Sequence, residues 1–185
     1  MAHSSEDISS ILAPGAAERA SRLNSAGSTW GSTIDENREA AHLSYTVTGD
    51  GVGSVASRIR AGKHEFWVDE PAALAGDDVA ASPVEVALGA LISCQVVVYR
   101  LYSQVLGIPF DEISVSAAGD LDAAKLFSKD EGARPGFTEV RLAVDITGPE
   151  NQERYEELRH AVDEHCPVLD LFSNPTPVTS TVSKK

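Results

Sequence analysis

Sulfur, aromatic rings and positive charge are all scarce in this chain. Of 185 residues only two are cysteines, one is methionine, and aromatic side chains make up 6%. Two cysteines in a chain expected to be cytoplasmic argue against a disulfide scaffold. They leave three uses: buried filler, metal ligands or redox chemistry. Lysine and arginine total 15 against 28 aspartates and glutamates, a formal net charge of −13. Such a surface repels phosphate backbones, so nucleic acid is not expected as a partner, and the acidity reads as a device for solubility. No run of about 18 apolar residues is present, so no membrane span is expected. The opening MAHSSEDISS lacks the basic start, apolar stretch and small-residue cleavage site of a secretory signal, which makes the cytoplasm the expected compartment.

What remains is an ordinary globular composition, 42% apolar and 23% charged, long enough for one domain with a substantial core. Residues 1–37 read as an appendage to a domain spanning 38–185. Within the appendage, Glu6–Asn24 has the makings of an amphipathic helix, with Ile8, Ile11, Leu12 and Leu23 as apolar positions and Pro14 as a break. Ser25–Asp35, rich in Gly, Ser and Thr, reads as a linker.

Strand patterning begins at His42, where Leu43, Tyr45 and Val47 alternate with polar residues. Gly49-Asp50-Gly51 is a turn signal, and Val52–Arg60 reads as the returning strand. Ala61-Gly62-Lys63 turns the chain into a third strand, His64–Val68. Further strands are expected at Ile113–Ala118, Thr138–Ile146 and Val178–Val182, and a helix at Glu150–Glu164.

The best-specified element is a helix from Pro83 to Leu106. Ser82 is a good N-cap, Pro83 suits the first helical position, and Glu85 completes a capping box. Gly107, with Pro109 two residues later, is the matching stop. The helix is apolar nearly all round, so it needs cover on most faces. A few short strands from one chain cannot supply that, which points to a second subunit. The expected class is therefore α+β, assembled as a homodimer.

Cys94 lies midway along this helix, where a thiol is commonly a small hydrophobe. Cys166 precedes Pro167, and Cys-Pro at a helix start sets sulfur beside unsatisfied N–H groups, an environment that favours a thiolate. His160, His165 and Cys166 sketch a metal site without a fourth ligand, so zinc is not expected. Ser93 does not sit in a nucleophile elbow. Trp67, Phe66, Tyr99, Tyr102, Phe127, Phe137 and Phe172 suit core or dimer packing, or the walls of an apolar channel. No motif calls for a cofactor.

The ordered set Asp69-Glu70-Pro71, Ser82-Pro83-Val84-Glu85, Cys94, Gly119-Asp120-Leu121-Asp122, Pro135-Gly136-Phe137-Thr138, Cys166-Pro167-Val168 and Asn174-Pro175 resembles the OsmC/Ohr family of two-cysteine thiol proteins. The resemblance spans about residues 40–183. It implies an intertwined dimer, with antiparallel sheets wrapped around long central helices and Cys94 facing Cys166. It also implies reduction of organic or lipid hydroperoxides in oxidative-stress defence. In that scheme Cys94 is the peroxidatic thiol, Cys166 resolves its sulfenic acid as a disulfide, and a dithiol reductant, possibly lipoyl-type, reopens the bond.

Two catalytic partners of the family are not matched directly. A Glu is expected ten residues before the reactive Cys, where this chain has Val84. Glu85 is one position off, and the capping box accounts for it. The family's early-strand Arg has Arg58 and Arg60 as candidates, with Arg38 just upstream, although alternation puts Arg58 and Arg60 together on a face suited to solvent. These departures favour an alternative, a non-peroxidatic dimer that binds a small apolar ligand at an interfacial pocket. Acyl or sulfur transfer at Cys94 is a third reading.

Overall fold

A computed structural model gives the chain a mixed α+β fold and describes residue 12 and residues 14–184. The order is α1 (Ala16–Glu36), a 3-10 turn (Arg38–Ala41), β1 (Val47–Val52), β2 (Ala56–Ala61), β3 (His64–Val68), a 3-10 turn (Ala72–Leu74), α2 (Pro83–Leu106), β4 (Glu112–Leu121), β5 (Phe137–Thr147), α3 (Gln152–His165) and α4 (Pro167–Ser173). Strands β1–β2–β3 form one antiparallel sheet, and β4–β5 form another.

Helix α2 begins and ends where its punctuation says. The Ser82 N–H and Oγ–H both donate to Glu85 Oε2 at 2.7 Å, and the Glu85 N–H donates back to Ser82 Oγ at 3.4 Å. At the far end Gly107 takes φ 62°, a left-handed conformation that side chains resist, and its N–H donates to the Ser103 carbonyl. This 24-residue helix is long and apolar enough to cross a membrane by length and composition. A core helix passes the same test, and here β4, α3, α4 and α1 all pack on α2.

The core forms where α2 meets α3 and the β4–β5 sheet. Val98, Tyr99, Ile108, Phe110, Leu158, Val162 and Cys166 are buried together, with Cys94, Tyr102, Ile113 and Val144 packed against them. Alternation along the two strands makes this possible. Ile113, Val115 and Ala117 face the same way as their cross-strand partners Ile146, Val144 and Leu142. Full burial of a side chain such as Leu158 stabilises the fold by about 1.5–3 kcal/mol. Of the aromatics, Tyr99 is buried and Phe137 stacks on Phe172, while Phe66, Trp67 and Phe127 stand exposed.

Four local expectations change. Helix α1 starts after Pro14 and runs unbroken through Ser25–Asp35, which therefore is not a linker; Glu6–Ile11 and Ala13 lie outside the described residues. Glycine and serine lower helix propensity without forbidding helix, by about 1 kcal/mol per Gly. The half-buried Arg19, Ala20 and Leu23 anchor the helix, which packs on α2.

The first strand starts at Val47 rather than His42, and Gly49-Asp50-Gly51 lies inside it. The turn falls instead at Gly53–Val55, where Gly53 takes φ 60°. Gly49 serves a different purpose, since a Cβ there would come within 2.9 Å of Ile59 Cδ1 on the paired strand. Val178–Val182 forms no strand, with Val178 and Val182 exposed. A strand needs an edge to pair with, and this segment meets none among the described residues.

The β1–β3 sheet makes no substantial contact with the helices or with β4–β5. Its register sorts the side chains into one face with Val47, Ile59, Phe66 and Val68, and another with Asp50, Arg58, Arg60, Glu65 and Trp67.

The capping box supplies a stability test. Ser82→Ala is expected to cost about 1 kcal/mol, a fall of roughly 2–4 °C in Tm. Thermal melts monitored by circular dichroism measure it, and a change below about 0.3 kcal/mol would show that the cap is redundant.

Candidate functional site

Cys94 is half-buried on the inward side of α2, and Cys166 is 2% exposed at the junction of α3 and α4. The chain brings them together because α3 packs along α2 and α4 turns back onto it. Both are free thiols, close enough for Cys166 to act on the Cys94 thiol.

Cys166 is the N-cap residue of α4, yet its side chain makes no capping bond. The Val168 backbone N–H, in the first turn of α4, instead acts on the Cys94 thiol and favours its charged form. A backbone dipole at the start of a helix therefore bears on the other thiol, an arrangement that exists only through tertiary contact.

Burial is the largest influence on Cys94 and pushes its thiol above the ordinary cysteine range. The Val168 N–H pulls the other way, and the neighbouring Cys166 adds to the rise. No guanidinium is among the groups that shift it. The two thiols thus lie together, and no cation among the described residues shifts Cys94.

The other expected site residues lie elsewhere. Glu85 is held in the capping box, and its bonds from Ser82 keep its carboxyl below the usual range. It stands nine residues before Cys94, roughly 13 Å along the helix axis. Arg60 donates to Asp50 at 2.7 Å and lies 3.4 Å from Glu65, while Arg58 lies 3.8 Å from each of the same two carboxylates. Both arginines therefore belong to an ion-pair network on the charged face of the β1–β3 sheet.

From sequence, two neighbours suit other roles, His165 in a sketched metal site and Tyr102 as packing or a channel wall. The His165 ring lies against the Tyr102 ring at 4.4 Å, and its Nδ1 is 2.7 Å from the Ala161 carbonyl. That bond orients the imidazole beside Cys166. Tyr102 follows Cys94 by two helical turns, a spacing that marks a shared face of α2 but names no partner. His160 is exposed on α3, with its Nε2 3.2 Å from the Arg159 guanidinium.

The comparisons with known proteins agree with this architecture. An OsmC-like protein from Mycoplasma pneumoniae superposes with a TM-score of 0.62 at 15% identity, over 71% of this chain and 88% of that one. An organic hydroperoxide resistance protein OsmC from Legionella pneumophila gives 0.56 at 22% identity, over 71% and 90%. An organic hydroperoxide resistance protein from Elizabethkingia anophelis gives 0.57 at 22%, over 71% and 89%. At these identities the likeness is one of fold. No curated protein sequence matches the chain. The family model for OsmC-like proteins matches residues 76–181, more than half of the chain and a stretch that holds α2, both sulfurs and the β4–β5 sheet. On the match of that model, this chain belongs to the OsmC-like protein family.

Proposed function

We propose that this protein reduces organic hydroperoxides through Cys94 and Cys166, as a cytoplasmic homodimer recycled by a dithiol. The observation that carries this reading is the meeting of two free thiols in the core, one half-buried and one buried. The Cys94 thiolate attacks the terminal oxygen of the hydroperoxide. The O–O bond breaks, an alkoxide leaves and takes a proton to become the alcohol, and Cys94 is left as sulfenic acid. The Cys166 sulfur then attacks Cys94 Sγ, water leaves and a disulfide forms. A dithiol, of lipoyl type for instance, supplies two electrons and returns both thiols.

Exposed apolar surface supports the dimer. Val47 and Phe66 stand exposed on one face of the β1–β3 sheet with Ile59 half-buried beside them, and Val84, Val97 and Val105 stand exposed on α2. A second subunit that brings its sheet against α2 would bury both surfaces. The apolar face is the one suited to docking, which leaves Arg58 and Arg60 on the outside with their carboxylates. Cys94 then reacts without a strong electrostatic partner.

Three outcomes test this reading. Sedimentation should give a dimer at every concentration where the protein is folded, and a stable folded monomer would refute the assembly. Excess alkyl hydroperoxide should consume two thiols per wild-type chain. Cys94→Ser should abolish turnover, whereas Cys166→Ser should react once and stall as sulfenic acid. Retention of both wild-type thiols would overturn the function.

The raised position of the Cys94 thiol sets the pH profile. The thiolate is the minor species at neutral pH, so stopped-flow oxidation should accelerate about tenfold per unit from about pH 7 to 8.5. A flat profile would show a thiolate already formed at neutral pH, and hence a cation, with Arg58 and Arg60 the first candidates, delivered by a second subunit.

A further inference from the structure

An open groove of about 940 Å³ lies between the inner face of β5 and helices α2, α3 and α4. That volume is within the usual range for small-molecule sites. Its apolar walls come from Leu91 and Tyr99 on α2, Leu142 and Val144 on β5, and Leu169 and Phe172 on α4. Neither Cys94 nor Cys166 lines it, so it is separate from the thiol chemistry.

Two features give the groove a polar preference. Gln95, the neighbour of Cys94 in the chain, is 1% exposed, and its Nε2 has no hydrogen-bond partner among the described residues. A buried amide donor without an acceptor is costly, and natural cores leave few. The Gln95 side chain is among the groove's lining, and with no protein acceptor to hold its Nε2, rotation of the terminal amide can present that donor to a bound oxygen.

Charge gives the second preference. Four charged residues line the groove: Arg134, Glu139, Arg159 and Asp163. Glu139 is paired with Arg141 at 2.5 Å, and Arg159 with Asp163 at 2.7 Å. Arg134, exposed at the rim, has no ion-pair partner among the described residues. Of the four, it is the one whose charge remains unmatched.

We propose that this groove binds an amphiphilic anion, an aliphatic chain ended by a carboxylate. The apolar walls take the chain, Gln95 Nε2–H donates to a carboxylate oxygen, and the Arg134 guanidinium supplies the opposing charge. All of these lining residues belong to one chain, and the site does not depend on the hydroperoxide reading.

Isothermal titration of the full-length protein with decanoate, decanol and decylamine tests the proposal. Decanoate should bind best, decanol more weakly, and decylamine, which presents a cationic donor, should not bind measurably. Gln95→Leu keeps the side-chain bulk and removes the amide, so decanoate affinity should fall about tenfold with no loss of thermal stability. Arg134→Ala, at the exposed rim, should weaken decanoate by about tenfold and leave decanol unchanged. Cys94→Ser should bind decanoate as the wild type does, which separates this site from the peroxidase reading. Absence of decanoate binding at about 1 mM overturns the proposal, as does equal affinity in Gln95→Leu or binding of decylamine equal to that of decanoate.

Discussion

Helix α2 carries apolar side chains on almost every face, and water is a poor environment for all of them. The fold is organised around removing those faces from solvent. Helices α3 and α4 and strand β4 close over one side, and there the buried core collects, from Tyr99 and Leu91 to Leu158 and Val162. The opposite side keeps Val97 and Val105 exposed, and the apolar face of the β1–β3 sheet keeps Val47 and Phe66 exposed. Two exposed apolar surfaces on one chain are complementary requirements, and the proposed second copy would satisfy both.

The same burial governs the sulfur chemistry. Packing α3 and α4 onto α2 is what carries Cys166 to Cys94, because their separation in the chain gives no local reason to meet. That packing also strips water from Cys94, and desolvation disfavours the charged thiolate. Proximity and low acidity therefore have one cause. The Val168 N–H is a partial offset, a single dipole set against the loss of hydration. Nearby guanidiniums do not make up the difference, since Arg58 and Arg60 are held by Asp50 and Glu65 on a separate sheet.

Groups engaged and unengaged by the protein divide sharply around the core. The capping box accounts for Glu85, and the ion pairs of α3 account for Arg159 and Asp163. Gln95 lacks such an account, being buried with an unmatched donor at the edge of a groove. A polar side chain kept inside a core without a partner is an exception to how cores are built, which is why the groove beside it is read as a site.

Local chemistry in the sequence was enough for the limits of α2, since an N-cap, a proline, a capping-box glutamate and a terminal glycine each act within a few residues. The alternation of β4 and β5 and the helical spacing of Tyr155, Leu158 and Val162 were legible for the same reason. Elements that depend on a distant neighbour were not. The stretch Ser25–Asp35 is helical despite its composition, and Val178–Val182 has strand composition but no edge to join. Gly49-Asp50-Gly51 looked like a turn because glycine permits one, but its use is close approach to Ile59 across a pair of strands. Cys94 and Cys166 were visible as residues, and their ordered motifs pointed to the family. The sequence by itself determined the central helix and the two sulfurs. Only the tertiary structure decided that Val168 serves Cys94, that Tyr102 lies against His165, and that Glu85, Arg58 and Arg60 have other partners, because each of those facts is a contact between side chains or backbone groups that the chain order does not record.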